Sequence, residues 1–117
     1  MMMTLRDEIL VVCDYENFTY GKEIKERVEA LRNSAHITHL PTDSDMRALL
    51  RVMVEKDGLL EPWIGYKRGK KLWKYFLVGE FEDRDPLRLH FKLTPMGWRA
   101  QKKLLDEMMR IQGWPLK

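Results

Sequence analysis

The chain has 117 residues, of which 44% are hydrophobic and 33% are charged, which is typical of one folded domain and excludes a disordered protein. Its one cysteine, Cys13, excludes a disulfide framework and a cysteine-rich metal site. The net charge of +3 is uneven, because residues 1–59 carry 8 Lys and Arg against 11 Asp and Glu, whereas residues 60–117 carry 13 against 7, a one-sided basic field that suits a nucleic-acid partner.

The first segment, MMMTLRDEIL, has no apolar stretch long enough for a signal peptide or a membrane span. We therefore expect a cytoplasmic protein with no membrane partner. Thr4, followed by Asp7 in capping-box position, predicts a first helix that continues to about Asp14. The stretch ENFTYG then breaks the helical pattern.

Two more helices are predicted in the first half. Apolar residues at helical spacing, with Lys–Glu pairs four apart, indicate a second helix from about Tyr20 to Asn33. Thr42, followed by Asp45, predicts the start of a third helix, and Gly58 lies where a glycine commonly ends one. The apolar stripe of this helix consists of Met46, Leu49, Leu50, Met53 and Val54.

After Gly58 the period changes from helical to alternating. Two runs, LLEPWIGY and KLWKYFLVGEF, flank a basic turn and predict a β-hairpin. The stretch EDRDP predicts a second turn, and LRLHFKL predicts a strand whose inward residues are Leu87, Leu89, Phe91 and Leu93. Thr94 and Pro95 then begin a last helix, which runs to about Gln112 and has a wide, methionine-rich apolar stripe.

The hairpin is more basic than solubility or protection of an edge strand requires. Five basic residues lie within positions 67–75, which contain no acid, and this pattern predicts contact with a polyanion. They are Lys67, Arg68, Lys70, Lys71 and Lys74. Aromatic residues around them either stack on bases or pack the hairpin against the third helix and the last strand; they are Trp63, Tyr66, Trp73 and Tyr75.

Four short motifs accompany the predicted order of helix, helix, helix, β-hairpin, strand, helix. They are Tyr20-Gly21, Pro41-Thr42, Asp57-Gly58-Leu59 and Leu93-Thr94-Pro95-Met96-Gly97. In these features the chain resembles the winged-helix family, and its PadR-like branch of transcriptional regulators most, over about residues 5–112. The resemblance implies an α+β fold: a single winged helix-turn-helix domain over 1–117, with three helices, an enlarged hairpin or three-stranded wing, and a C-terminal helix.

The resemblance also implies a function, which is non-catalytic binding of double-stranded DNA by a small transcriptional regulator. The third helix would enter the major groove with Ser44, Arg47 and Arg51, while the five basic hairpin residues would neutralise phosphates. Asp43 and Asp45 depart from this pattern, because carboxylates at the start of that helix repel phosphate. We find no catalytic constellation, and we expect no cofactor and no metal.

In regulators that resemble this chain the last helix often forms a homodimer, which would present two recognition helices to a palindrome. The helix, over 95–112, is therefore expected to dimerise, although its stripe could instead bind a different protein. The residues assigned to this contact are Trp98, Leu104, Leu105, Met108, Met109 and Ile111.

Two alternatives belong to other functional classes. In the first, the winged helix makes a protein–protein contact, and Asp43 and Asp45 are interface charges. In the second, ILVVCDYENF and PTDSDM resemble parts of the PIN/NYN-type metal-dependent ribonucleases, and Asp14 would join those two acids at Mg²⁺. Only 28 residues separate Asp14 from Thr42, which is too few for the βα units that the nuclease fold needs.

Overall fold

The computed structural model of the protein describes residues 3–63 and 84–111. Its helices are α1 (Leu5–Val12), α2 (Gly21–Ser34), α3 (Asp43–Glu55) and α4 (Pro95–Ile111). Its strands are β1 (Thr19–Tyr20), β2 (Leu60–Pro62) and β3 (His90–Leu93), and a short 3₁₀ helix covers Pro86–Arg88. Over these two ranges the protein is therefore an α+β fold, with four α-helices and a small three-stranded antiparallel sheet.

Local sequence patterns determine where the helices begin. At α1 the hydroxyl of Thr4 accepts a hydrogen bond from the N–H of Asp7, whose carboxylate accepts one from the N–H of Thr4. Thr42 and Asp45 form the same reciprocal capping box at α3. The predicted helix starts are thus confirmed, and so is the glycine after α3, since Gly58 adopts φ +65°.

The sheet has the order β1–β3–β2, so that β3 lies in the centre. Tyr20 opposes His90 on one side of β3, and Pro62 opposes Phe91 on the other. Strand β1 was not predicted, because two residues are too short to show an alternating period. The small sheet therefore includes a strand from the first half of the chain, whereas the sequence placed every strand after Gly58.

The predicted strand LRLHFKL begins later than expected. Its first part is 3₁₀ helix, because the carboxylate of Asp85 accepts a hydrogen bond from the N–H of Leu87 at 3.0 Å and Pro86 has a fixed φ. The predicted alternation of burial is nevertheless confirmed. Its four inward residues, Leu87, Leu89, Phe91 and Leu93, are all buried.

The core lies between the helices and the inner face of the sheet. The predicted stripe of α3 supplies four buried residues to it, while Leu49 packs against its edge. Burial of one such side chain contributes about 1.5–3 kcal/mol. The fully buried side chains with the largest volumes include Phe91, Ile9, Ile24, Met46, Leu50 and Met53.

Two of the motif glycines allow close backbone approaches. A Cβ atom at Gly21 would collide with the carbonyl oxygen of Pro86, and one at Gly97 would collide with the carbonyl oxygen of Leu59. Any larger residue would therefore push apart α2 and the 3₁₀ helix, or α4 and the start of β2. These contacts give a physical reason for glycine at both positions.

Polar side chains join α1 to distant elements. The guanidinium of Arg32 in α2 donates to both carboxylate oxygens of Glu8, at 2.7–3.0 Å, and to the carbonyl of His39 at 2.9 Å. The amide nitrogen of Gln101 in α4 donates to carbonyl oxygens at the end of α1, where the helix itself supplies no partner. These carbonyls belong to Leu10, Val11 and Cys13.

No helix within the two described ranges combines the length and the apolar character that a membrane crossing requires.

Candidate functional site

The outer face of α3 is the surface opposite its buried stripe, and it consists of Ser44, Arg47, Ala48 and Arg51. Ser44 and Ala48 are exposed, while the two arginines are half-buried. A pair of small residues one turn apart lets another molecule approach the helix backbone closely. This face was predicted from the helical period, and the structure brings all four residues to one side of α3.

Arg47 does not extend freely from this face. Its Nε and a terminal nitrogen donate to the two carboxylate oxygens of Asp85, at 2.9 and 3.3 Å. The hydrogen bonds from Arg47 hold the pKa of Asp85 below its ordinary value, and the N–H of Leu87 lowers it further. The two side chains remain 41% and 34% exposed, so that a ligand can reach the pair from solvent.

Arg51 is directed toward the same segment. One of its terminal nitrogens donates to the carbonyl oxygen of Arg84 at 2.8 Å. Both arginines of the outer face therefore bind residues 84 and 85, which lead into β3. The sequence predicted outward arginines but gave no indication of these partners, because Asp85 lies 38 residues from Arg47 along the chain.

The two acids at the start of α3 also have partners. Lys25 of α2 lies 3.1 Å from the carboxylate of Asp43 and 3.1 Å from that of Glu29, and the hydrogen bonds that its ammonium group donates to these two carboxylates raise its pKa. Asp45 belongs to the capping box of α3. The negative charge that argued against DNA at this end is thus partly compensated by α2.

A cleft of about 590 Å³ opens between α2, α3 and the 3₁₀ helix. Four basic and four acidic side chains line it, so that it selects neither anions nor cations by charge alone. Its lining residues are Tyr20, Lys22, Lys25, Glu26, Glu29, Asp43, Arg47, Asp85, Leu87 and Arg88.

The predicted phosphate-binding residues of the hairpin, Lys67, Arg68, Lys70, Lys71 and Lys74, lie outside the described residues, as do Tyr66, Trp73 and Tyr75. Trp63 is described, and it is 46% exposed. Its ring meets the imidazole of His90 edge-on, with centroids 6.2 Å apart. This contact with the last strand agrees with the packing alternative for Trp63, since His90 belongs to β3.

The residues of the proposed dimer contact on α4 differ in burial. Leu104 is only 9% exposed and belongs to the core, whereas Met108 packs against that core and is partly exposed. Trp98 is 38% exposed and stacks on Tyr15 at 5.0 Å. Leu105 and Met109 are partly exposed, while the side chain of Ile111 lies outside the described residues.

The strand that the ribonuclease alternative needs at residues 9–13 is largely helix α1. Its three acids do not come together, because Asp14 lies 3.6 Å from Arg27 whereas Asp43 and Asp45 occupy the start of α3. Within residues 3–63 and 84–111, no group of three or more His, Cys, Asp and Glu side chains is arranged to hold a metal ion. We do not pursue this alternative.

Comparison of the chain with protein-family models, with curated proteins and with solved structures found no match.

Proposed function

We propose that the protein is a winged-helix protein that binds double-stranded DNA without catalysis, as a small cytoplasmic transcriptional regulator. In this proposal α3 enters the major groove and the basic hairpin neutralises phosphates. The observation that carries it is the order α1–β1–α2–α3–β2–β3, together with the central position of β3 in the sheet. This arrangement is compatible with a winged helix, and the basic residues 67–74 occupy the wing's place in the chain, between β2 and β3.

The outer face of α3 supports the same proposal. The small side chains of Ser44 and Ala48 would let the backbone of α3 approach the DNA bases closely in the major groove. An arginine can form two hydrogen bonds with guanine or phosphate. On binding, Arg47 would give up its hydrogen bonds to Asp85 and form new ones to DNA. Breaking an exposed ion pair costs little free energy. Lys25 would keep Asp43 from repelling the nearest phosphate.

The direct test compares two identical substitutions at exposed helical alanines. Ala48→Glu places a carboxylate on the outer face of α3, while Ala30→Glu places one on α2, and both sites are exposed. We expect Ala48→Glu to weaken binding of a random-sequence duplex at least about tenfold by fluorescence anisotropy, because like charges repel across an interface. Ala30→Glu should change affinity less than about twofold. Equal effects of the two variants, or no binding by the wild type at low salt, would contradict the proposal.

A salt series tests the wing. The combined variant Lys67→Glu, Arg68→Glu, Lys70→Glu and Lys71→Glu should flatten the dependence of log affinity on log salt, since each phosphate contact contributes a slope of about −0.9. An unchanged slope would remove the hairpin from the interface and leave only α3.

Homodimerisation through α4 is part of the same proposal. Its described residues with exposed surface are Trp98, Leu105, Met108 and Met109. Sedimentation equilibrium of the wild type and of Leu105→Glu tests it, because the charge at this partly exposed position should dissociate a dimer while leaving the core intact.

One observation favours a protein partner as the second candidate. Asp43, Asp45 and Glu55 are all exposed on α3, and they give the helix an acidic character that DNA does not favour. Failure of the wild type to bind duplex at low salt would make this reading the leading one.

A further inference from the structure

The outward face of the sheet, on the side opposite the core, carries a cross-strand row of rings. Tyr20 of β1 and Trp63, which follows β2, flank His90 of the central strand on its two sides. The rings of Tyr20 and His90 are tilted, with centroids 5.0 Å apart, and Trp63 meets His90 edge-on. This row is defined here as the aromatic row, and its Tyr20 lines the same cleft as Arg47 of the outer face of α3.

A second row lies beside the aromatic row. Lys92 opposes Glu61 of β2, and its ammonium group lies 5.0 Å from the centre of the Phe18 ring. Residues two apart on a strand point to the same side and lie about 6.6 Å apart. Lys92 is therefore placed one step along the sheet from His90, close enough to hold a charged group next to whatever contacts the rings.

Further charged side chains lie near Tyr20. Lys22 and Arg88 are exposed, and both line the cleft that Tyr20 also lines, together with four acidic side chains. Two cations, Arg88 and Lys92, thus precede and follow His90 along the chain. An apolar protein partner would have to desolvate these cations, whereas a phosphate backbone would be attracted to them.

We propose that the aromatic row binds single-stranded nucleic acid. An unpaired base would stack on the accessible face of Trp63 beside His90, while Lys92 and Arg88 would hold the neighbouring phosphates. A duplex cannot use this surface in the same way, because its bases already stack on one another. Binding of a single strand here does not require duplex binding, although the two surfaces meet at the cleft that Tyr20, Arg47 and Arg88 line.

The test measures single strands and duplex separately by fluorescence anisotropy at about physiological salt. The probes are labelled oligo-dT and oligo-U of about 12 nucleotides, and a labelled random-sequence duplex. We expect Trp63→Ala to weaken the single strands about tenfold or more, since stacking on one aromatic ring typically supports that difference. Duplex affinity should change less than about twofold. Comparison of oligo-dT with oligo-U distinguishes a DNA ligand from an RNA ligand.

Met96→Ala is the control, because Met96 is a large apolar residue of similar exposure on α4 and belongs to neither proposed interface, and it should leave single-strand affinity unchanged. Trp63→Phe keeps a stacking ring and should retain most of the affinity, which also guards against loss of the fold in Trp63→Ala. Lys92→Gln should weaken binding and reduce its salt dependence. The proposal is overturned if the wild type binds neither single strand, if Trp63→Ala weakens duplex binding equally, or if Met96→Ala has the same effect as Trp63→Ala.

Discussion

Two arginine–carboxylate pairs of the same chemistry occupy very different surroundings. Arg32 meets Glu8 with side chains only 13% and 4% exposed, whereas Arg47 meets Asp85 with both side chains far more accessible. Each arginine makes hydrogen bonds to both carboxylate oxygens, and each pair joins elements distant in the chain. The difference between them is therefore burial.

Burial assigns the two pairs different roles. A carboxylate taken out of water must keep its partner, because a lone buried charge is strongly destabilising. An exposed pair contributes little to stability and exchanges readily with solvent or ligand. The Glu8–Arg32 pair thus holds α1, α2 and the segment before α3 together, while the Arg47–Asp85 pair orients a side chain that remains accessible from solvent.

The largest expected effect breaks the buried pair. Glu8→Gln removes the charge but keeps the size of the side chain, and it leaves Arg32 without a counter-charge. We expect the free energy of unfolding to fall by about 3 kcal/mol in urea titrations. Glu16→Gln, at an exposed loop position, is the control; a loss no greater than that of the control would show that burial does not separate the two pairs.

A neutral contact sharpens the comparison by separating burial from charge. Gln101→Ala removes the donor for three carbonyl oxygens at the end of α1, and we expect a loss of about 1–2 kcal/mol by the same titration. Lys103→Ala, at an exposed position of α4, should have little effect. If Gln101→Ala equals Glu8→Gln, loss of hydrogen bonds alone explains both results, and charge is irrelevant.

The exposed pair should matter more for binding than for stability. Asp85→Asn should shift the urea midpoint far less than Glu8→Gln, yet raise duplex affinity up to about fivefold, because Arg47 no longer has to leave a carboxylate. Glu55→Gln is the control, because it also removes one negative charge, here from α3, without releasing an arginine. An equal gain in the control would mean that only net charge changed.

The smallest effect is a pH dependence at the exposed pair. Because Arg47 lowers the pKa of Asp85, the stability from this group is fully present above the ordinary value of 3.8 and is lost as pH falls below it, through the folded-state pKa. Thermal melts of wild type and Asp85→Asn should therefore converge once the pH has fallen below the folded-state pKa of Asp85. A constant difference across this range would show that Asp85 acts through contacts that do not depend on its charge.

Patterns within a few residues predicted much of the fold. Thr4 and Thr42 fixed the starts of α1 and α3, and alternation over 87–93 gave the correct inward residues. Strand β1 was not predicted, because its two residues form a strand only by pairing with β3, about 70 residues away. The 3₁₀ helix was not predicted, because its N-cap residue, Asp85, was interpreted as part of a turn.

The candidate site could be predicted only in outline. The helical period identified the outer face of α3, but it could not show that Arg47 and Arg51 bind residues 84 and 85, since no local pattern encodes a contact at that separation. The apolar stripe on α4 is wider than one core-facing side needs, and the extra apolar surface was interpreted as a contact for a partner. Part of that apolar surface packs in or against the chain's own core, namely Leu104 and Met108.

The contact of Gln101 with the end of α1 has a consequence during synthesis. About 90 residues separate the donor from its carbonyl acceptors, so α1 leaves the ribosome long before its last turn can be completed. A nascent chain arrested before residue 101 would keep those carbonyls in water, and it would also lack the buried surface of α4 that packs on α1. The domain can therefore fold stably only after α4 has been synthesised. A truncation within α4 should destabilise α1.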